Sequence, residues 1–286
     1  MRPFSYERPT SLAAAIGLLE AYGAAARPLA GGTDLIIRLR DGSTRLEAVV
    51  DVKGIEELGG GIVEDGGRLV IGARTVMTDI AADARVRLGF PALAEAASVI
   101  GSVQIRNRAT LAGNICNASP AADTAPSLLV YDAGVVVAGP GGTRRIPIDD
   151  FLTGPGRTAL GPAELVTAVE LPLPAERRGS VHVRRTRRRG HDLASVTLTC
   201  VVVEGGLTRL AYGSVGPRPV LAVDDTGVLA DPGAPADAKD RVLDRLLAAA
   251  SPSPRSMRAG PEYRLAMLRV LALRAVGIAA ARLAEG

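Results

Sequence analysis

The sequence predicts an α+β protein in two parts: residues 1–175, then a smaller part, 176–286, of antiparallel strands and helices. Three observations carry this. Two glycine-centred loops, around Gly31-Gly32 and around Gly113, each end a strand-like run. Pro172-Leu173-Pro174 followed by Glu176-Arg177-Arg178-Gly179 interrupts the regular patterning and marks the boundary. Past that boundary apolar strands come first. Helices with apolar residues at three- and four-residue spacing come after, the order of an α+β domain.

The elements follow in order. Thr10 or Ser11 opens a helix that runs to Tyr22 and stops at Gly23. Arg27 to Ala30 reads as a short strand leading into Gly31-Gly32. Thr33 or Asp34 can cap the next helix, Leu35 to Arg40, and Leu46 to Val52 is a second strand, giving a small βαβ-type unit. Ile62-Val63 and Leu69-Val70-Ile71, separated by Asp65-Gly66-Gly67, form a hairpin. Thr75 to Ala82 and Pro91 to Ile100 are helical, and the second glycine loop follows. Ala121 to Tyr131 is a helix, and Val135-Val136-Val137 and Leu165 to Leu171 are strands. In the second part, Val181 to Arg185, Ser195 to Val203 and Leu207 to Val215 are antiparallel strands, the last two joined by Gly205-Gly206. Asp237 to Ala249 and Glu262 to Leu283 are helices.

Composition excludes several classes. Hydrophobic residues make up 47%, too many for a disordered chain. Aromatics are 3% with no Trp, so a binding site must be built from aliphatic side chains and backbone. Net charge is +4, and Lys53 and Lys239 are the only lysines. The excess is too mild, and too poor in interleaved aromatics, for a nucleic-acid binder, so the Arg184 to Arg189 run reads as a strand and a solvated turn. Cys116 and Cys200 cannot hold a four-thiolate cluster, and His182 and His191 share no ligand spacing with them, so no metal site is expected. Without a signal-like apolar start or a run long enough for a membrane span, a cytoplasmic protein is expected.

The two loops carry the chemistry. Leu29-Ala30-Gly31-Gly32-Thr33-Asp34-Leu35-Ile36 is a strand, a tight turn and a helix start, which aims backbone N–H groups and a helix dipole at an anion. Thr110-Leu111-Ala112-Gly113-Asn114 offers a second set of amides. Two such loops suit one long diphosphate ligand, and a dinucleotide flavin is the natural choice. Gly154-Pro155-Gly156-Arg157-Thr158-Ala159 matches a loose nicotinamide fingerprint, but no buried strand leads into it and Pro155 suits an irregular loop.

Taken together, Ala30-Gly31-Gly32-Thr33-Asp34-Leu35, Gln104-Ile105-Arg106-Asn107-Arg108-Ala109-Thr110-Leu111-Ala112-Gly113-Asn114 and Ala118-Ser119-Pro120-Ala121-Ala122-Asp123 resemble the FAD-binding medium subunit of the molybdenum hydroxylases. That family includes carbon monoxide dehydrogenase, xanthine dehydrogenase and related aldehyde and N-heterocycle dehydrogenases. The resemblance covers essentially the whole chain. It implies a two-part FAD-binding domain of the PCMH type and a family-specific C-terminal domain. It also implies an oxidoreductase whose medium subunit carries FAD in electron transfer. The family's large subunit carries molybdopterin and its small subunit the 2Fe-2S clusters. Electrons leave to an external acceptor: NAD, quinone or oxygen.

Matched by motif, the resemblance places Leu29 to Ile36 along the pyrophosphate and ribityl chain, and Thr110 to Asn114 on the other side of the diphosphate. Asp123 would accept from the adenosine ribose or a nearby group, Ile100 would pack on an apolar part of the cofactor, and Val166 would lie at the isoalloxazine edge. Arg184 stands where the family has a lysine at the flavin, and Leu193 where a side chain covers the isoalloxazine. Ala112 stands where the family commonly has glycine, which requires a negative φ at that residue. No catalytic acid–base set is visible. The alternative is a self-sufficient FAD-dependent reductase related to the enolpyruvyl-UDP-sugar reductases, which would need a substrate pocket and acid donor of its own. A flavin-free scaffold is the reading the two intact loops oppose.

Overall fold

The computed structural model describes residues 2–188 and 190–285; Arg189, the last residue of the arginine run, lies outside them. Four sheets organise the chain. The first has three parallel strands in the order Ser5–Glu7, Ala48–Asp51, Ala26–Leu29. Ser11 caps the Leu12–Tyr22 helix by accepting the Ala14 amide, and Gly23 ends it at φ 52°. Alanines and valines on the central strand are fully buried, as expected of a strand covered on both sides. The short edge strand Ser5–Glu7 escaped the sequence reading because Ser-Tyr-Glu carries no apolar run.

The second sheet is antiparallel, in the order Ile62–Asp65, Arg68–Gly72, Leu165–Pro172, Gly134–Gly139, Gly142–Pro147. Its first two strands are the expected hairpin. A helical excursion, Met77 to Val130, separates the strands on either side of Leu165–Pro172. The excursion holds the helices Met77–Ala82, Ala84–Gly89, Pro91–Ser98, Val103–Arg106, Leu111–Asn117 and Thr124–Val130. Thr124–Val130 is buried along its whole length, wedged between the first part's core and the strands Val196–Val203 and Thr208–Gly213. The Leu152–Gly154 and Arg157–Thr158 strands form a small hairpin around Pro155, so the loose nicotinamide pattern is a surface turn.

The third sheet of substance is a four-stranded antiparallel meander: Arg178–Arg185, Val196–Val203, Thr208–Gly213, Val220–Asp224. The Pro261–Glu285 helix lies across the first two strands. Gly179 permits that approach, since a Cβ there would sit 1.9 Å from the Ala279 carbonyl oxygen. The Ala236–Leu247 helix completes this half. Each strand of the meander is two-faced. Val181, Leu198, Cys200 and Leu210 pack under the helices, while Ser180, His182, Thr197 and Thr199 are buried polar residues. No helix among the described residues is long and apolar enough to cross a membrane.

Candidate functional site

The Ala26–Leu29 strand ends where Gly31 and Gly32 turn the chain into the Leu35–Arg40 helix. Gly32 has φ 76°, a conformation that costs an L side chain about 1–2 kcal/mol. Gly31 is glycine for a different reason. A Cβ there would lie 2.1 Å from the Arg108 carbonyl oxygen and 3.0 Å from the Ala109 Cα. The first loop therefore presses against the backbone that leads into the second. Asp34 stands at the N-cap of Leu35–Arg40 but makes no side-chain cap. Among the described residues, no group accepts a hydrogen bond from the amides of Ala30, Gly31, Gly32, Thr33, Asp34 or Leu35. Six consecutive donors are thus left for something else, a strong anion-receptive feature of a turn running into a helix.

The second loop differs from its sequence reading. Thr110 caps a helix, Leu111–Asn117, and its Oγ1 accepts the Gly113 amide at 3.0 Å. Gly113 therefore lies in the first helical turn with its amide already satisfied. Ala112 lies in the same helix and is absent from the positive-φ residues, so its methyl group is accommodated without strain. The Ala109–Leu111 backbone pairs with Thr75–Met77: the Met77 amide donates to the Ala109 carbonyl at 2.9 Å and the Leu111 amide to the Thr75 carbonyl at 3.3 Å. Arg38 Nη2 donates to Asn117 Oδ1 at 2.5 Å and ties together the two helices that follow the loops.

A second group of site residues gathers around Arg184. Its Nη1 donates to the Val99 carbonyl at 2.9 Å and lies 2.9 Å from Asp123 Oδ2, and its Nη2 donates to the Asp192 carbonyl. One guanidinium thus joins three segments, those carrying Ile100, Asp123 and Leu193. The link to the glycine loops runs through Asn114, whose Oδ1 accepts the Thr124 hydroxyl at 2.6 Å, one residue from Asp123. Asp123 is buried, and its Oδ1, like Arg184 Nε, has no hydrogen-bond partner among the described residues. Leu193 is 52% exposed beside this group. The Asp192 carboxyl stays below its usual range: partial desolvation opposes ionisation, but the Arg188 amide and guanidinium outweigh it.

Val166 stands apart. Its side chain lies in the core of the first part, opposite Val137 and beside a bulge before Ala168. Sequence reasoning missed Asp192, which contributes a backbone carbonyl and so leaves no side-chain signature. It also missed His182, whose signal was present in the alternation Ser180, His182, Arg184 along one strand. Cys116 packs against the core, where burial pushes its thiol up to about 12, so it is not a thiolate nucleophile.

Residues 2–174 match the family model described as the FAD binding domain in molybdopterin dehydrogenase. The chain belongs to that family. Residues 182–279 match the CO dehydrogenase flavoprotein C-terminal domain. The chain is 34% identical to the xanthine dehydrogenase FAD-binding subunit of Escherichia coli O157:H7 over 97% of its own length and 96% of that protein. It is 31% identical to the carbon monoxide dehydrogenase medium chain of Hydrogenophaga pseudoflava, covering 98% of both. Among solved structures, reconstituted CO dehydrogenase from Oligotropha carboxidovorans superposes with a TM-score of 0.90 at 31% identity, covering 98% of this chain and 99% of that one. Quinoline 2-oxidoreductase from Pseudomonas putida 86 gives 0.85 at 26% identity, covering 98% and 97%.

The family assignment makes the chain an oxidoreductase subunit of the FAD-binding class. Its residues fit a flavin dinucleotide. The six free amides at Ala30–Leu35 suit a diphosphate, and the unpartnered Asp123 Oδ1 and Arg184 Nε offer polar groups at the other cluster. Apolar contact would come from Ile100 and Leu193, consistent with a chain that has no Trp.

Proposed function

We propose that the chain binds one FAD non-covalently and acts as the electron-transfer subunit of a molybdenum hydroxylase. In this reading it receives electrons from 2Fe-2S clusters of a small partner subunit and delivers them to an external acceptor, with substrate oxidised on a large molybdopterin-binding subunit. The observation that carries it is the row of six unbonded amides beside the Arg108–Ala109 backbone. FAD, when bound, supplies the redox chemistry; the protein supplies binding, orientation and electrostatics.

The residue roles follow from that assignment. Leu29 to Ile36 hold the diphosphate through backbone N–H groups, and Leu111, Ala112 and Asn114 close its other side. Thr110 and Gly113 form the cap that fixes this helix start. Arg184 meets the flavin, Asp123 pairs with Arg184 and accepts from the adenosine ribose or a nearby part of the dinucleotide, Ile100 packs on the cofactor, and Leu193 limits access of the acceptor. Val166, buried in the first part's core, is placed at the isoalloxazine edge by the family match alone. Residues 1–175 form the FAD-binding domain and 176–286 the C-terminal domain, and the chain works in the cytoplasm. The division of labour agrees with Cys116 and Cys200, which are too few for a cluster.

The test is purification of the chain together with its large and small partner subunits. The complex should be yellow, and acid precipitation should release FAD into the supernatant. Colourless, correctly assembled complex would overturn the assignment. Full turnover of a specific substrate by the chain alone would favour the self-sufficient reductase instead.

A further inference from the structure

Along the strand Arg178–Arg185, side chains alternate between two environments. Val181 and Val183 face the helices of the second part, whereas Ser180, His182 and Arg184 face the first part across a buried seam. His182 shares no metal-ligand spacing with the cysteines. The structure makes it the most completely enclosed ionisable side chain beside the Arg184 group, 2% exposed.

The hydrogen bonds around His182 fix which of its nitrogens carries a proton. Ser127 Oγ lies 3.2 Å from the Ala92 carbonyl, which can only accept, so the single Ser127 hydroxyl hydrogen is used there. Ser127 Oγ then accepts from Thr199 Oγ1 at 3.0 Å, using the hydrogen of Thr199. Thr199 must in turn accept from His182 Nδ1 at 3.1 Å, so Nδ1 carries a hydrogen. The backbone is held as well. The His182 amide donates to Glu95 Oε2 at 2.8 Å, and Glu95 is paired with Arg282 at 2.7 Å. This chain of contacts leaves the ring one free edge. Its Nε2 faces Asp123 Oδ1 at 3.5 Å, and neither atom has another partner among the described residues. The opposite oxygen of the same carboxylate faces Arg184.

We infer that His182 is a positioning residue for the flavin site. Held by Thr199 and Ser127 on one side, it fixes the rotation of the Asp123 carboxylate with Nε2. Asp123 then fixes Arg184, the side chain that joins the Ile100, Asp123 and Leu193 segments. With a hydrogen on Nε2 as well as on Nδ1 the ring is a cation, and a small rotation of either side chain then closes the 3.5 Å gap into a charge-assisted hydrogen bond that the Asp123 carboxylate accepts. The inference rests on the flavin reading above and adds a residue to it that touches neither loop nor cofactor.

Two substitutions separate the contacts of the ring, and both are made in the assembled complex. His182→Asn keeps a polar group near the Nδ1 position, facing Thr199, and cannot reach Asp123. His182→Gln reaches Asp123 with its side-chain amide. After flavin removal, FAD is titrated back and followed by quenching of its fluorescence. The Kd should rise about tenfold for His182→Asn, the loss of one charge-assisted hydrogen bond. It should return to within about threefold of wild type for His182→Gln, a smaller remainder because the contact is restored. The visible circular dichroism of bound flavin should follow the same order. Should His182→Asn not assemble, Thr199→Val removes the Nδ1 anchor instead and should raise the Kd in the same direction. Wild-type affinity in His182→Asn, or equal loss in both variants, overturns the positioning role. A wild-type complex that takes up no FAD overturns the flavin reading itself and the inference with it.

Discussion

Gly31→Ala is the sharpest perturbation of the site, because its cost can be read from the geometry. The new Cβ would lie 2.1 Å from the Arg108 carbonyl oxygen, 2.7 Å from the Arg108 carbonyl carbon and 3.0 Å from the Ala109 Cα. All three are backbone atoms and cannot rotate away, so the two loops must separate by about 1 Å to restore van der Waals contact. Overpacking of this kind costs about 1–3 kcal/mol of stability. The effect on binding should be larger in kind, because the Ala30–Leu35 amides would move against the Ala109–Ala112 backbone across the same ligand. A loss of roughly two hydrogen bonds to a charged group corresponds to about 3–6 kcal/mol, more than a hundredfold in Kd. The assay is flavin per chain in the purified complex, followed by FAD titration of the deflavo form. Gly141→Ala is the control, since a Cβ there meets nothing within 4 Å and φ is not positive. Gly67 is a poor control despite its place in a hairpin, because its φ of 73° would strain any side chain. Full flavin occupancy and wild-type Kd in Gly31→Ala would show that the loop contact does not shape the site.

Other outcomes follow from the same geometry. Gly113→Ala should retain flavin and cost little, because its Cβ meets only Thr110 Oγ1, at 3.0 Å, and alanine suits a helix; a colourless variant would mean that the ligand approaches this Cα directly. Leu193→Trp should slow flavin reoxidation by the acceptor more than its reduction by substrate, measured by stopped-flow absorbance; equal slowing would remove the gating role given to Leu193. Burial raises the Tyr131 hydroxyl to about 12 from its ordinary 10.0, against the opposing hydrogen bond with Ser180. A phenol raised on folding contributes stability that is complete below the unfolded value and lost as pH rises through the folded one. Wild type should therefore lose about 2 kcal/mol between pH 10 and 12 that Tyr131→Phe does not lose, read by urea unfolding across that range. Identical pH slopes would place the Tyr131 hydroxyl in contact with water.

Much of the fold was legible in the residues themselves. Ser11 and Gly23 bound the first helix, and Gly66-Gly67 and Gly205-Gly206 set two hairpins, because caps and turns are local chemistry. The strands with apolar alternation and the last two helices were visible for the same reason. Ser5–Glu7, Gly142–Pro147 and Val220–Asp224 were not, because edge strands carry little burial and so little pattern. The two glycine loops were equally visible, but their local sequence was ambiguous between a turn and a helix start. At Gly113 the Thr110 cap decided for the helix.

What the sequence determined by itself is therefore the set of parts: two glycine-bearing segments, an Asp-ended loop, a strand of alternating polar and apolar residues, and too few cysteines for a cluster. Tertiary structure alone decided which of them meet. Gly31 is obligatory because of a carbonyl at Arg108, far along the chain, and Arg184 matters because it reaches Val99, Asp123 and Asp192 at once. His182 gains its place from Thr199 on the neighbouring strand and from Ser127 and Asp123, in and at the N-cap of the Thr124–Val130 helix. Local propensity is a property of a few neighbouring residues. Close backbone approach and shared hydrogen bonds depend on packing between segments distant in sequence, and no local pattern encodes them.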